Sequence, residues 1–126
     1  MQKLIERQRK FFMQDYTKDY QFRVRQLTRL ANAIKENEKK IEQTLKKDLN
    51  KSSFEAYSTE IGFTLHSIRK TIKKLKKWMK VKKVKTPIYQ FYARSYIQYE
   101  PLGSTLIIGP YNYPFHLVIE PLIGAI

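Results

Sequence analysis

Few side chains in this sequence could do chemistry, and one of them stands in an unusual place. Residues 109–115 read GPYNYPF, so Asn112 sits at the tip of a turn framed by Pro110 and Pro114, directly after the short run TLII. A loop asparagine ordinarily hydrogen-bonds its own turn, and the turn alone asks for nothing more. His66 and His116 stand outside any cluster of ligand-type residues and read as surface or boundary histidines, so no metal site is expected. Glu100 and Glu120 each precede a proline, with nothing to mark them as an acid–base pair. The chain has no cysteine, which excludes disulfides, a thiolate metal site and a thiol nucleophile among these residues.

The elements that would position Asn112 can be followed along the chain. Leu4, Ile5, Phe12 and Tyr16 form a loose apolar stripe. From Tyr20, the residues Val24, Leu27, Leu30, Ala31 and Ile34 recur at spacings of three and four, which puts them on one helix face. Asn37 is predicted to end that helix in a left-handed conformation, and Asn50 to end the next one, carried by Ile41, Leu45 and Leu49. Ser52 and Glu55 have the spacing of a capping box. The longest helix follows, with Phe54, Tyr57, Ile61, Leu65, Ile68, Ile72, Leu75 and Met79 as its core seam and lysines and arginines on its other faces. Past Thr86-Pro87 the texture changes. The segment SYIQY from Ser95 to Tyr99 alternates as a strand does, and Ser104 to Ile108 reads as a buried strand with apolar residues on both faces. Pro114 suits the first position of a helix running from Phe115.

A strand, a tight turn and a helix start is the opening of a parallel α/β sheet. The expected fold class is therefore α/β, with a helical region over residues 1–94, a bridging or oligomerisation strand over 95–100, and a first strand–turn–helix over 101–126. The sequence stops in the apolar run LIGAI, and no second parallel strand has been met by then. A lone strand cannot satisfy its backbone or cover its faces, so the reading is the front end of a larger protein.

Charge suggests a competing class of function. Lys and Arg number 25 against 11 Asp and Glu, a net charge of +14 over 126 residues, which invites nucleic acid or an anionic membrane as partner. The alternative to an enzyme is thus a small basic helical module binding through the faces from Arg69 to Lys85. The aromatic residues sit mostly on the apolar seam, however, and charge alone gives weak, salt-sensitive binding, so no specific nucleic-acid partner is expected. The charged opening MQKLIERQRKFF lacks the apolar centre of a signal peptide, making the cytoplasm the default location. Pro110, Pro114, Glu120 and Pro121 interrupt the apolar stretch from Leu102 to Ile126, so no transmembrane segment is expected, since a span needs about 20 nearly unbroken apolar residues.

The segment EPLGSTLIIGPYNYPFHLVIEPLIGAI resembles the start of the cofactor-binding core of NAD(P)-dependent aldehyde dehydrogenases, in the class 3, fatty-aldehyde-like branch. Upstream, FRVRQLTRLANAIKENEKKIEQTLKKDLNKSSFEAYSTEIGFTLHSI is similar to that branch's helical N-terminal region. The order EPLG, apolar strand, P-x-N-Y-P-F and EPLIGAI carries the resemblance. It implies oxidation of aldehydes to carboxylic acids with NAD or NADP, in a Rossmann-like fold that is incomplete here, and a homodimer in the intact protein. In the family a downstream cysteine attacks the aldehyde, and the asparagine of the turn donates its side-chain N–H to the resulting oxyanion; the matching residue is Asn112. A neutral amide donor suits that task. By the same resemblance Ile108, Gly109, Pro110 and Tyr111 line the nicotinamide-ribose side of the cofactor site, Tyr113 lies nearby, and Tyr96 and Ile97 face a partner subunit. The cysteine, the general-base glutamate and the adenosine-ribose contacts would lie beyond Ile126, so the chain alone is expected to be inactive.

Overall fold

The computed structural model describes residues 2–126. Six helices and one small hairpin are connected in the order α1 (Gln2–Met13), α2 (Tyr20–Glu36), α3 (Glu38–Leu49), α4 (Ser53–Ala56), α5 (Gly62–Trp78), β1 (Lys82–Val84), β2 (Ser95–Ile97) and α6 (His116–Ala125). Short 3₁₀ turns occupy Tyr16–Lys18 and Ile88–Gln90.

Local sequence explains most helix ends. Asp19 caps α2 by accepting the N–H of Phe22 at 2.7 Å. Ser52 does the same for the N–H of Glu55 at 3.2 Å, as the capping spacing predicts. Asn50 adopts φ 55°, the expected left-handed stop, and its turn lets the Lys51 N–H reach back to the Leu45 carbonyl. Asn37 does not behave this way. Its φ is −104°, and its side-chain amide instead donates to the Ala33 carbonyl at 2.8 Å. That bond and an immediate restart in α3 leave no need for a left-handed residue.

The core forms where α2, α5 and α6 meet: Leu27 and Ile34 from α2, Leu65, Ile68 and Leu75 from α5, Ile61 just before it, and Ile123 from α6. Between α4 and α5, residues Tyr57–Ile61 form one π-helical turn, in which the Gly62 N–H bonds the Tyr57 carbonyl five residues back. A π turn adds one residue to the helix without ending it, so faces upstream are rotated relative to those downstream. The predicted seam is therefore right from Ile61 to Leu75 and wrong before it, and its last member, Met79, lies past the end of α5 and is exposed. Ala56 is buried, whereas Phe54 and Tyr57 are exposed. Gly62 makes the tight turn sterically possible: a Cβ there would lie 2.9 Å from Tyr57 Cε1 and 3.0 Å from its carbonyl oxygen.

The strands differ most from expectation. β2 covers only Ser95–Ile97, and it pairs antiparallel with β1, Lys82 opposite Ile97 and Val84 opposite Ser95. That partner lies inside the basic run that extends to Lys85, past the end of α5 at Trp78. Ser104 to Ile108 is extended but forms no ladder among the described residues, and most of it is exposed rather than buried. A strand is defined by its neighbour, and no neighbour for this segment is present.

Candidate functional site

The turn ahead of α6 is short of caps. α6 begins at His116, its N-cap residue Phe115 has no side-chain cap, and Pro114 has no N–H to satisfy. The first free amides of a helix need acceptors from elsewhere. Glu60, on the π turn, supplies them: its Oε2 accepts the N–H of Phe115 at 2.9 Å and of His116 at 3.2 Å. A carboxylate in this position also meets the positive end of the helix dipole.

The other carboxylate oxygen, Oε1, takes a 2.5 Å hydrogen bond from Lys51 Nζ. Both partners are buried, with 7% exposure for Lys51 and none for Glu60. Lys51 Nζ also donates to the backbone carbonyl of Asn112 at 3.2 Å, and it lies 4.0 Å from the centre of the Tyr113 ring, where a desolvated ammonium is attracted to the π face. The pair thus grips the turn at Asn112, Tyr113, Phe115 and His116.

A polar column continues the contact down the α5–α6 interface. Thr64 Oγ1 lies 3.1 Å from His116 Nδ1, and Ser67 Oγ donates to Glu120 Oε1 at 2.5 Å. Phe63 meets the His116 ring edge-on at 4.9 Å. Glu120 Oε2 is enclosed and makes no hydrogen bond among the described residues.

Asn112 itself stands exposed at the tip. Its Oδ1 accepts the N–H of Tyr113 at 3.1 Å. No hydrogen bond of its NH₂ group occurs among the described residues. The bond to the adjacent amide is not the usual Asx turn, which reaches the N–H two residues on, and it uses only the oxygen, leaving two N–H donors on an exposed side chain.

The residues expected to line a cofactor run consecutively along the outer side of the same segment. Ile108 is 83% exposed and Tyr111 87%; Gly109 and Pro110 are also exposed. Gly109 has a packing reason of its own, since a Cβ there would overlap a methyl of Val118 on α6. Tyr113 is partly covered by Lys51. Tyr96 and Ile97 project from the hairpin, both exposed. No cluster of three or more His, Asp or Glu able to hold a metal occurs among the described residues, and no helix is long and apolar enough to cross a membrane.

The sequence reading missed Lys51 and Glu60. A signal existed: Glu60, Thr64 and Ser67 form a polar column at spacings of four and three beside an apolar seam. Their partner in sequence, His116 with Glu120 four residues on, is the matching column on the facing helix. Lys51 carried no such signal.

Comparison with known proteins gives one answer across the chain. The family model described as the aldehyde dehydrogenase family matches residues 2–126. A 4,4'-diaponeurosporen-aldehyde dehydrogenase of Staphylococcus aureus is 55% identical over 116 residues, covering 92% of this chain and 25% of that protein. The chloroplastic aldehyde dehydrogenase family 3 member I1 of Arabidopsis thaliana is 42% identical over 123 residues, covering 98% of this chain and 22% of that protein. A solved structure described as the substrate-bound state of Staphylococcus aureus AldH superposes with a TM-score of 0.91 at 53% identity, covering 94% of this chain and 26% of that one. The chain thus spans about a quarter of the length of the relatives it matches. The named relatives are aldehyde dehydrogenases, and none of these names speaks for a nucleic-acid or membrane-binding module.

Proposed function

The chain belongs to the aldehyde dehydrogenase family, with class 3 relatives along its whole length, and from that premise we propose that it forms the N-terminal part of an enzyme oxidising aldehydes to carboxylic acids, with Asn112 as oxyanion donor. When a cysteine thiolate from elsewhere in the intact enzyme bonds to the aldehyde carbon, the carbonyl electron pair moves onto oxygen. The Asn112 NH₂ donates to that oxygen. The observation that carries this reading is the one-sided use of the amide: Oδ1 is held by the Tyr113 N–H, and the NH₂ of this exposed side chain has no hydrogen-bond partner among the described residues.

The flat, exposed apolar strip of Ile108, Gly109, Pro110 and Tyr111 fits one wall of a site for NAD or NADP, which when bound would supply the hydride acceptor. These residues could only line the ring side of the site, since no phosphate-binding glycine turn lies among them. The exposed Tyr96 and Ile97 of the hairpin support a homodimer in the intact protein. The chain contains no cysteine, so the 126 residues by themselves are proposed to be inactive.

The test is a chimera in which residues 2–126 replace the corresponding segment of the Staphylococcus aureus enzyme. It is assayed for reduction of NAD or NADP, starting with the aldehyde for which that relative is named. The expected result is an active chimera in which Asn112→Ala lowers kcat by roughly 10²-fold, the typical effect of one oxyanion donor. A folded chimera without activity, or an Asn112→Ala variant with unchanged kcat, would overturn the reading.

A further inference from the structure

We propose that Lys51 and Glu60 are positioning residues for the Asn112 amide, acting as a buried ion pair that fixes the turn from beneath. The proposal rests on the oxyanion reading of Asn112 and adds the parts of the chain that aim it. Burying an ion pair is costly, and apolar side chains of similar volume often stabilise a core as well or better. Stability of the fold therefore does not explain why these two charges are enclosed. Their bonding does. Every recorded polar contact that the two side chains make outside their own pair goes to the turn: Lys51 Nζ to the Asn112 carbonyl, and Glu60 Oε2 to the N–H groups of Phe115 and His116. Asn112 and Tyr113 are thus held on one side by the ammonium, and α6 is held on the other by the carboxylate.

Both arms are aimed by backbone irregularities. Lys51 follows Asn50, whose φ of 55° turns the chain at the end of α3. Glu60 lies in the π turn, which brings it to a fully buried position beside Ile61. A donor on a loop is useful to a transition state only when its place is fixed to a fraction of an ångström. The loop around Asn112 has no ladder partner to fix it, and the ion pair takes that part.

The experiment uses the active chimera described above. Glu60→Gln and Lys51→Met are each expected to lower kcat by about tenfold while the KM for aldehyde changes by less than about twofold, because the interaction lost is made in the transition state. In the Asn112→Ala background the same two substitutions should have almost no further effect, since residues acting through one group are not additive. The double substitution Lys51→Met with Glu60→Met guards against misfolding. It leaves no unpaired buried charge, although the N–H groups of Phe115 and His116 lose their acceptor, so it should fold with a melting temperature between those of the wild type and of Glu60→Ala and still show the reduced kcat.

The outcomes separate cleanly. If Asn112→Ala lowers kcat but the folded Lys51→Met/Glu60→Met protein keeps it, the positioning role is wrong and the oxyanion reading stands. If the losses multiply when combined with Asn112→Ala, the pair supports the fold rather than the amide, and the inference is again overturned. If Asn112→Ala changes nothing, the oxyanion reading itself has failed.

Discussion

Glu60 has no contact with solvent, yet three donors meet its carboxylate: the Lys51 ammonium and the amides of Phe115 and His116. Truncating it would leave a buried cation without a partner and uncap α6 in one step. Glu60→Ala is therefore expected to cost about 3–5 kcal/mol, the usual penalty for breaking a buried pair. The paired replacement by two methionines should cost less, because it removes both charges together and leaves only the uncapped amides of α6. Denaturant unfolding of the chimera and its variants checks the ordering. Equal destabilisation by the single and paired changes would show that packing volume, not the unpaired charge, governs this site. The same chemistry explains why the Asn112 turn stands out in the sequence, with its proposed role resting on the family resemblance, while Lys51 and Glu60 do not stand out. A turn of two prolines, a glycine and an amide within seven residues is a local pattern. A hydrogen bond that reaches 61 residues along the chain, from Lys51 to the Asn112 carbonyl, leaves no local trace, and Glu60 shows only as one member of its column with Thr64 and Ser67.

Helices whose contacts are set by spacing were mostly readable, and of the paired strands only β2, with its alternating SYI, was. In α2 the predicted face contains the buried Leu27 and Ile34, and in α5 Leu65, Ile68 and Leu75 are buried as the three-and-four spacing requires. In the long helix phase was lost across the π turn, because periodicity assumes 3.6 residues per turn throughout, and no residue of the loose stripe in α1 is buried. β1 was hidden because Lys82, Lys83 and Val84 alternate too little to mark a strand, and only the pairing with β2 makes them one. Besides the bonds from Lys51 and Glu60, one close approach shapes the junction between residues 104–108 and α6. Gly109 faces Val118, where any Cβ would collide with the valine methyl. Gly109→Ala is thus expected to push the turn away from α6, lowering both the melting temperature and kcat of the chimera. Adding Val118→Ala removes the opposing methyl and should recover most of both. No recovery in the double variant would mean that Gly109 is needed for a reason on its exposed side, which is the side proposed to face the cofactor.

Exposure at the level of the molecule is concentrated in one stretch. Ile88, Tyr89, Phe91, Tyr92, Leu102, Leu106, Ile108 and Tyr111 all have large apolar surfaces open to water, while the core is confined to the meeting of α2, α5 and α6. Scattered apolar exposure is ordinary, but a run of this kind is a surface made to be covered. The net charge of +14 opposes close association at low ionic strength, and added salt screens that repulsion within about 10 Å at 0.1 M. Two forces therefore compete in the isolated 126-residue chain, and salt decides between them. The chain by itself is expected to show strong far-ultraviolet helical dichroism, weak near-ultraviolet dichroism and binding of a dye for exposed apolar surface, the signs of secondary structure without fixed packing. Its association should rise with salt, as charge repulsion fades and apolar contact remains. Binding to an anionic partner through the basic faces would respond the other way, collapsing as salt is added. Sedimentation in low and moderate salt, with and without RNA or anionic vesicles, distinguishes the two. A cooperative thermal transition with native-like near-ultraviolet dichroism would contradict the expectation, and would show that α2, α5 and α6 hold the fold without any cover over residues 88–111.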